Sequence, residues 1–212
     1  MNCAGRSELG MLVCVETNPR TAIRILAPTD GNNVGLVADL ADLINSVYQR
    51  AENGLWREGT TRTTIAELAR FIAAGDIVVA RQHGQLAGSV RVHDVAPGVT
   101  EFGMLVAAPE YRGAGVGRAL VEFAEQRALE RDMRAMQLEL LVPRTWRHPS
   151  KEFLSAWYGR RGYRVIRTRN VDDAYPHLAP LLATSCDLLV YEKPLRAAGL
   201  TSAWREDGHH SA

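Results

Sequence analysis

The chain has 212 residues, with 25 lysines and arginines, 24 aspartates and glutamates, and a formal net charge of +1 at pH 7. That length favours a single domain, and the small net charge argues against a partner held mainly by counterion release, such as duplex DNA. Three scattered cysteines (Cys3, Cys14 and Cys186) exclude a disulfide framework and a cysteine-based zinc site, and no apolar run reaches the roughly 18 residues of a membrane span.

These properties predict a cytoplasmic protein with no metal and no membrane partner. Both ends of the chain lack regular apolar periodicity. We therefore predict an N-terminal extension over residues 1–20, one domain over residues 21–195 and a C-terminal tail over residues 196–212.

The first half of the domain predicts a strand, two helices and a hairpin. The strand AIRILAP is followed by an amphipathic helix over residues 34–50, whose apolar side chains recur on one stripe. A second helix over residues 64–75 begins with the spacing of a capping box, Thr64 and Glu67, and stops at a glycine. Two β-rich runs, residues 77–80 and 86–92, flank a polar turn.

The second half alternates strands and helices. The strand TEFGMLVAA leads through a glycine-rich loop into a helix over about residues 117–131, and the strand MQLELLV follows. The loop PRTWRHP then precedes the helix SKEFLSAWYGRR and the strand YRVIRTR. The segment DDAYPHLAPLL predicts a loop with a short helix, and CDLLVYEKPL predicts a closing strand.

The glycine-rich loop carries Gly113, Gly115 and Gly117 directly before a helix. Free amides at a helix N-terminus and the positive end of the helix dipole bind phosphate, and glycines let the backbone approach the anion closely. Arg112 and Arg118 flank the loop and add positive charge. The alternative is a flexible connector without a ligand.

Two common phosphate-binding loops do not fit this spacing. A nucleotide-hydrolase loop requires Gly-Lys followed by Ser or Thr, whereas this chain has Gly117, Arg118 and Ala119 and lacks the magnesium ligand. A dinucleotide fingerprint requires G-x-G-x-x-G, which glycines at 113, 115 and 117 do not form.

The remaining motif, Arg112-x-x-Gly115-x-Gly117 within MLVAAPEYRGAGVGRALVEFA, resembles the pyrophosphate loop of the GNAT superfamily, the acyl-CoA-dependent N-acetyltransferases. The block AWYGRRGYRV is similar to a second recurrent block of that family. The resemblance covers most of residues 23–195. It implies an α/β (α+β) fold with a mixed, mostly antiparallel sheet of six to seven strands, a splayed central pair and about four flanking helices.

The resemblance also implies acetyl-CoA as the co-substrate. Main-chain groups of the splayed strand, at Leu105, Val106 and Ala107, would pair with the pantetheine arm as though it were an added strand. The pyrophosphate would be held by the loop residues Arg112, Gly113, Ala114, Gly115, Val116, Gly117 and Arg118.

Direct transfer to an amine, which the family typically performs in a ternary complex, requires a base, an oxyanion donor and an acid for the departing thiolate. By resemblance, Tyr158 would be the acid and Glu101 would take the amine proton, often through water. The alternatives are a core tyrosine and an exposed strand-end glutamate. His148 is a second candidate for the base because imidazole titrates near neutrality, and the amide of Val106 would meet the oxyanion.

The acceptor end is less diagnostic. Lys151 stands where family members often carry an asparagine that contacts the pantetheine or a peptide backbone. Lys151 and Arg147 would face a phosphate, an acidic acceptor or solvent. Trp56 and Trp146, in the loops AENGLWREGTTR and PRTWRHPSKEF, would wall the amine pocket or bury their own loops.

We therefore expect an N-acetyltransferase that acts on a small-molecule or peptide amine. The basic run RRGYRVIRTR is typical of a solvated strand edge, so no nucleic-acid partner is predicted. The alternatives are a non-catalytic acyl-CoA-binding module and a transferase of longer acyl groups. The oligomeric state stays open, with a homodimer as one alternative.

Overall fold

A computed structural model describes residues 21–195, so the predicted extension over 1–20 and the predicted tail over 196–212 lie outside the described residues. The strands are β1 Thr21–Ile25, β2 Ile77–Gln82, β3 Gln85–Ala96, β4 Val99–Ala107, β5 Ala135–Pro143, β6 Arg164–Asn170 and β7 Cys186–Pro194. The α-helices are α1 Val34–Ala51, α2 Ile65–Ala73, α3 Val116–Glu130, α4 Pro149–Arg160 and α5 Val171–Ala174. Short 3₁₀ turns occupy Pro28–Asn32, Pro109–Tyr111 and Ala179–Leu181.

All seven strands belong to one sheet with the order β1-β2-β3-β4-β5-β7-β6. Every neighbouring pair is antiparallel except β4 and β5, which run parallel. The predicted mixed, mostly antiparallel sheet is therefore confirmed, as are the predicted strands and the four longer helices, whose bounds shift by only a few residues. The segment predicted as a loop with a short helix contains α5 and the last 3₁₀ turn.

Helices cover both faces of the sheet. The predicted apolar stripe of α1 is buried with α2 against one face, through Val37, Leu40 and Ile44. On the opposite face, α3 packs against β3 and β4, and the core there includes Leu120 of α3 and Tyr158 of α4. Because both faces are covered, the centre of the sheet is removed from water wherever its strands stay paired.

Helix α2 begins with half of the predicted capping box. The side chain of Thr64 accepts a hydrogen bond from the amide of Glu67 at 3.1 Å, which satisfies one of the free donors of the first turn. The Glu67 carboxylate accepts from the Thr63 hydroxyl at 2.9 Å. This contact fixes the segment that leads into α2.

The parallel pair β4 and β5 separates soon after it begins. The two strands are in register only over Val99–Glu101 and 135–137. Beyond Glu101, β4 has one residue more than β3 between the pairs Ser89–Val106 and Arg91–Gly103, and within this bulge Met104 has a φ of 51°. A bulge bends its strand and increases the local twist, so it accounts for the predicted splay of the central pair.

Close packing beside the splay depends on a glycine of β3. A Cβ atom at Gly88 would lie 2.6 Å from the Val106 carbonyl oxygen and 2.8 Å from Cγ1 of Val116, the first residue of α3. Only a residue without a Cβ lets β3, β4 and the start of α3 approach this closely. The glycine therefore sets α3 directly against the end of the splayed strand.

Within residues 21–195, no helix is both long enough and apolar enough to cross a membrane.

Candidate functional site

A cavity of about 590 Å³ opens where β4 and β5 diverge. Its walls come from α1 and the linker that follows, from β4 and β5, and from α4 and the segment after β6. The two predicted catalytic residues, Glu101 and Tyr158, both line it, and so does Leu105 of the splayed strand. The structure thus brings together residues that are more than fifty positions apart in the chain.

Glu101 is the last residue of β4 that pairs with β5, so its carboxylate lies at the point where the strands part. Burial, with the Glu139 carboxylate in the same cavity, raises the pKa of Glu101 from its usual 4.5 to about 7. Glu139 itself is engaged, since it accepts from Arg169 at 3.0 Å and from the Tyr175 hydroxyl at 2.7 Å. Within the described residues, the Glu101 carboxylate has no hydrogen-bond partner. It can therefore exchange a proton near neutral pH.

His93, which sequence analysis did not single out, lies beside Glu101. It is the register partner of Glu101 on β3 and lines the same cavity. Burial and the nearby Arg91 guanidinium lower the pKa of His93, and its buried Nδ1 has no hydrogen-bond partner among residues 21–195. A neutral imidazole thus flanks the carboxylate. Its signal was the alternation of β3, which continues to Ala96, whereas the predicted strand ended at Val92, directly before His93.

Tyr158 lies on α4 with its ring in the core and its side chain in the cavity wall. The residue is 5% exposed, and its ring centroid lies 5.9 Å from Phe102 and 6.1 Å from Tyr163. Burial raises the pKa of the Tyr158 phenol well above its usual range, so the group stays protonated at neutral pH. Tyr158 is therefore a core aromatic residue whose side chain also lines the cavity, and its role as the acid stays a prediction.

Tyr158 is held by aromatic neighbours that are themselves anchored. The Tyr163 hydroxyl donates to Glu125 at 2.7 Å, and the hydroxyls of Tyr191 and Ser155 lie 2.7 Å apart. The Tyr158 hydroxyl has no such partner within the described part of the chain. The ring is fixed while its polar end is left available to a molecule in the cavity.

The glycine-rich loop lies outside this cavity, at the N-terminus of α3. Gly115 is the N-cap, and Gly113 and Gly115 have φ values of 83° and 82°, which glycine adopts without strain. A Cβ atom built at Gly113, Gly115 or Gly117 would meet no atom within 4 Å. The loop is therefore open, with exposed Arg112 and Arg118 beside it.

The backbone amides of the loop are not all free. The amide of Arg112 donates to Pro109 and that of Ala114 donates to Tyr111, at 3.1 and 3.0 Å. The amides that make no backbone hydrogen bond within residues 21–195 are those of Gly113, Gly115, Val116, Gly117 and Arg118. These can point at an anion, whereas the amide of Ala114 is already used.

The splayed strand presents alternate backbone groups to the gap. The Ala108 amide donates to Ala87 at 2.8 Å, and the Val106 carbonyl oxygen faces Gly88 of β3. Because amides alternate in direction along a strand, the amide of Val106 also faces β3. The amides directed into the gap are those of Leu105 and Ala107, so the geometry favours them over Val106 as donors to a ligand.

His148, the second candidate for the base, lies away from the cavity. The residue is 6% exposed, its Nε2 is 3.2 Å from the Asn53 carbonyl oxygen, and its ring packs on Trp146. Neither His148 nor Trp146 lines this cavity. The loop PRTWRHP folds against the α1–α2 linker instead of overhanging the cleft, because both aromatic rings pack against that linker.

Lys151 faces neither solvent nor a phosphate. Its ammonium group forms an ion pair with Glu52 at the end of α1, and each side chain is only 6% exposed. The Trp56 indole nitrogen donates to the same carboxylate. All three residues line the large cavity, which makes this cluster part of its floor. By contrast, Arg147 is exposed and pairs with Glu152.

A second cavity of about 360 Å³ adjoins the first, and it is built mainly by the linker after α1. Trp56 lines both cavities, so the prediction that this tryptophan walls a pocket is supported. Leu178 and Leu181, from the segment after β6, close the other side. Trp146, for which the alternatives were a pocket wall and packing of its own loop, lines neither cavity.

No group of three or more His, Cys, Asp or Glu side chains within residues 21–195 is arranged to hold a metal ion.

Comparisons with known proteins bear on the same region. A family model described as the acetyltransferase (GNAT) family matches residues 40–159, more than half of the chain. The S-alkylcysteine N-acetyltransferase of Bacillus subtilis (strain 168) is 28% identical over 141 residues, which cover 64% of this chain and 77% of that protein.

Two solved structures share the fold. Ard1 from Thermoplasma volcanium matches over 84% of this chain and 99% of its own, with a TM-score of 0.57 at 15% identity. The ribosomal-protein-S18-alanine N-acetyltransferase from Escherichia coli matches over 86% and 98%, with a TM-score of 0.54 at 18% identity. At these identities the likeness supports the architecture described above.

The Lys151–Glu52 pair yields a stability prediction. Lys151→Met should lower the free energy of unfolding by about 3–5 kcal/mol, because it leaves a buried carboxylate without its cation. The double variant Lys151→Met/Glu52→Gln should lose clearly less than the sum of the two single variants. Urea denaturation at pH 7 measures all three.

The exposed pair on the same helix provides the control. Arg147→Met should cost less than about 1 kcal/mol, because water already screens its charge. A Lys151→Met variant as stable as Arg147→Met would contradict the role given to the buried pair.

Proposed function

Because the chain belongs to the GNAT family of acetyltransferases, we propose that it moves the acetyl group of acetyl-CoA directly to an amine, with both substrates bound in a ternary complex. One observation carries this proposal. The gap between β4 and β5 leads from the open glycine loop to a cavity that Glu101 and Tyr158 line together. A donor bound along the gap would place its thioester where an acceptor can reach both side chains.

The binding of acetyl-CoA is proposed on the free backbone donors. The amides of Gly113 and of residues 115–118 would hold the pyrophosphate at the positive end of α3, with Arg112 and Arg118 adding charge. The amides of Leu105 and Ala107 would bond the pantetheine arm and polarise the thioester carbonyl. This assignment revises the expectation for Ala114 and Val106, whose amides face other parts of the chain.

In the chemical step, Glu101 would accept the amine proton, directly or through one water. Its pKa near 7 suits a base that must take a proton at neutral pH and pass it on. A neutral amine nitrogen bonds the acetyl carbon while the bond from carbon to sulfur breaks, and the proton that the nitrogen loses as the amide forms is the one that Glu101 accepts. Tyr158, protonated and without a partner among the described residues, would give its proton to the leaving thiolate.

Direct transfer is favoured over a covalent acetyl-enzyme. Cys186, the cysteine that lies within residues 21–195, is buried with Leu55 and Leu188 and lines neither cavity. Burial raises the pKa of its thiol to about 11, so it is protonated and a weak nucleophile at neutral pH. The described site therefore offers no thiolate to carry the acetyl group.

The acceptor is proposed to be a small-molecule amine. The second cavity, of about 360 Å³, is of the size that small-molecule sites have. The Bacillus subtilis relative is named for acetylating S-alkylcysteine, a small amine. Both observations favour a small acceptor over a protein or long peptide.

The experiment that tests the function follows thiol release from acetyl-CoA across a panel of amines. Wild type should release thiol with at least one small amine, and initial-rate plots at several concentrations of both substrates should intersect, as a ternary complex requires. Tyr158→Phe should lower kcat by at least about 100-fold, because the leaving thiolate loses its acid. CoA binding by this variant, measured by calorimetry, should be unchanged. Unchanged turnover would show that Tyr158 is not the acid.

The glycine loop yields a prediction that separates binding from folding. Gly117→Asp places a carboxylate in the first turn of α3, which favours the helix but repels the pyrophosphate. We expect the Kd for acetyl-CoA to rise by at least about 10-fold, with no loss of thermal stability. Calorimetric titration and thermal melts measure the two effects.

Helix α1 offers a matched control for this change. Gly35 occupies the same position in the first turn of α1 and lines neither cavity. Gly35→Asp should leave the affinity for acetyl-CoA unchanged. Equal affinities in the two variants would argue against the loop as the pyrophosphate site.

Glu101 yields a prediction of pH dependence. In wild type, kcat/KM should rise with pH through about 7, because only the ionised carboxylate can accept the amine proton. Glu101→Gln should remove this limb of the profile and lower kcat/KM by about 100-fold. A variant that keeps the same limb would show that another group is the base.

Glu101→Gln, which should lower activity, should raise the stability of the folded chain. The folded chain keeps a proton on Glu101 up to about pH 7, whereas the unfolded chain loses it near 4.5. Stability from this group is therefore lost as pH rises between these values. Glu101→Gln should raise the Tm more at pH 8 than at pH 5.

A further inference from the structure

The two cavities share a wall that contains one arginine. Six residues line both cavities, and they are Tyr48, Glu52, Trp56, Thr61, Arg62 and Leu178. Glu101 and Tyr158 line only the larger cavity, whereas Leu181 and most of the linker line only the smaller one. A molecule that extends from the reacting centre into the smaller cavity therefore passes Arg62.

The other lysine and arginine side chains of these cavities are already engaged. Arg91 pairs with Asp76 at 3.0 Å, Lys151 pairs with Glu52, and Nε of Arg57 donates to the Leu182 carbonyl at 3.2 Å. Within residues 21–195, the Arg62 guanidinium forms no ion pair, and the Tyr48 hydroxyl is the hydrogen-bond partner within its reach. Its guanidinium lies over the Tyr48 ring, 5.1 Å from the centroid. The Tyr48 hydroxyl can take one of its five donors, and the others are left for a ligand.

The backbone of Arg62 is fixed although its side chain is not paired. Oδ1 of Asn45 accepts from the amides of Arg62 and Thr63 at 2.9 and 3.0 Å, and Nδ2 of Asn45 donates to the Thr63 carbonyl at 3.0 Å. Three hydrogen bonds from one α1 side chain hold a linker that has no regular secondary structure at this point. Arg62 is therefore positioned at the junction of the cavities.

The smaller cavity offers apolar surface beyond the arginine. Leu178 and Leu181 contribute side chains, and Trp56, whose indole nitrogen already donates to Glu52, has its ring left for contact. The junction thus presents a cation between a carboxylate that takes a proton on one side and the side chains of Trp56, Leu178 and Leu181 on the other. A simple amine would leave the cation unpaired, whereas an amine that also bears an anion would pair with it.

We infer that the acceptor is an amine that also carries a carboxylate and an apolar side arm, and that Arg62 binds the carboxylate. The amine would then lie toward Glu101 and the apolar arm would lie against Trp56 and Leu178. This inference rests on the proposed function, since it names the acceptor class of the same site. Arg62 would thereby determine which amines are acetylated without taking part in the proton transfers.

The test compares acceptors that differ only in the carboxylate. The first pair is S-benzyl-L-cysteine and 2-(benzylthio)ethylamine, and the second is L-methionine and 3-(methylthio)propylamine. An alanine-rich peptide with a free N-terminus serves as the long acceptor. Values of kcat/KM are measured by thiol release for wild type, Arg62→Met, Arg62→Lys and the control Arg50→Met. Arg50 is in the last turn of α1, where Nε donates to Ser46, and it lines neither cavity.

Wild type should prefer the carboxylate-bearing member of a pair by about 10- to 100-fold, the range expected for a charged hydrogen-bonded contact. Arg62→Met should abolish this preference through a higher KM, with no loss for the amine that lacks the carboxylate. Arg62→Lys should keep part of the preference because the charge is retained. Arg50→Met should match wild type, and acetyl-CoA affinity should be the same in all four proteins.

Three results would overturn the inference. The first is equal or better turnover of the carboxylate-free amines by wild type. The second is an Arg62→Met variant that loses both members of a pair by the same factor. The third is thiol release with the peptide alone, which would leave the proposed acetyl transfer standing. Thiol release with no amine at all would instead overturn the proposed function, and the inference with it.

Discussion

The interrupted pairing of two central strands is the constraint on which the rest of this structure depends. Strands β4 and β5 share only three register pairs before the bulge at Met104 turns β4 away. Backbone amides in the middle of a sheet normally have partners, and leaving them unpaired away from water is costly. Helices α1 and α3 pack against β3 and β4 from opposite faces, so this half of the sheet is held in place without pairing to β5 beyond Glu101. What results is a slot with preset donors, which suits an extended ligand that needs backbone hydrogen bonds along its length.

Two ionisable groups, Glu101 and Tyr158, also lie in the same poorly solvated cavity, and burial has different consequences for the proton of each. Burial favours the neutral form of both Glu101 and Tyr158. For the carboxyl group, this brings proton exchange close to neutral pH, whereas for the phenol it keeps the proton in place. The buried Lys151 and Glu52 side chains in the same floor are instead paired with each other. One environment thus holds a carboxyl group that exchanges its proton near neutral pH, a phenol that keeps its proton and a structural ion pair, according to what each group has beside it.

Local signals in the sequence were enough for most of the fold, and for the part of the site that is itself local. The stripe of α1, the turn between β2 and β3, and the glycines before α3 each depend on neighbouring residues, so periodicity and spacing were sufficient. The Lys151–Glu52 pair joins positions 99 residues apart, and no local pattern marks it. His148 lies in a polar loop sequence that is typical of solvated residues, yet its ring packs against a linker that is distant in the sequence. The Asn45 side chain holds the backbone of Arg62 in place, but the sequence indicates only that Asn45 belongs to the polar face of α1.

The narrow junction between β4 and β5 also bears on how the molecule opens. Strands β1 to β4 form one hydrogen-bonded ribbon and β5 to β7 form another, and three residue pairs connect them within the sheet. Units of this kind can exchange their amide hydrogens with solvent through separate local opening events. A ligand lying in the slot would bond to one ribbon and contact the other, so its binding energy would oppose their separation. Ligand binding would then slow the exchange of amide hydrogens on both sides of the slot, including in strands that the ligand does not contact.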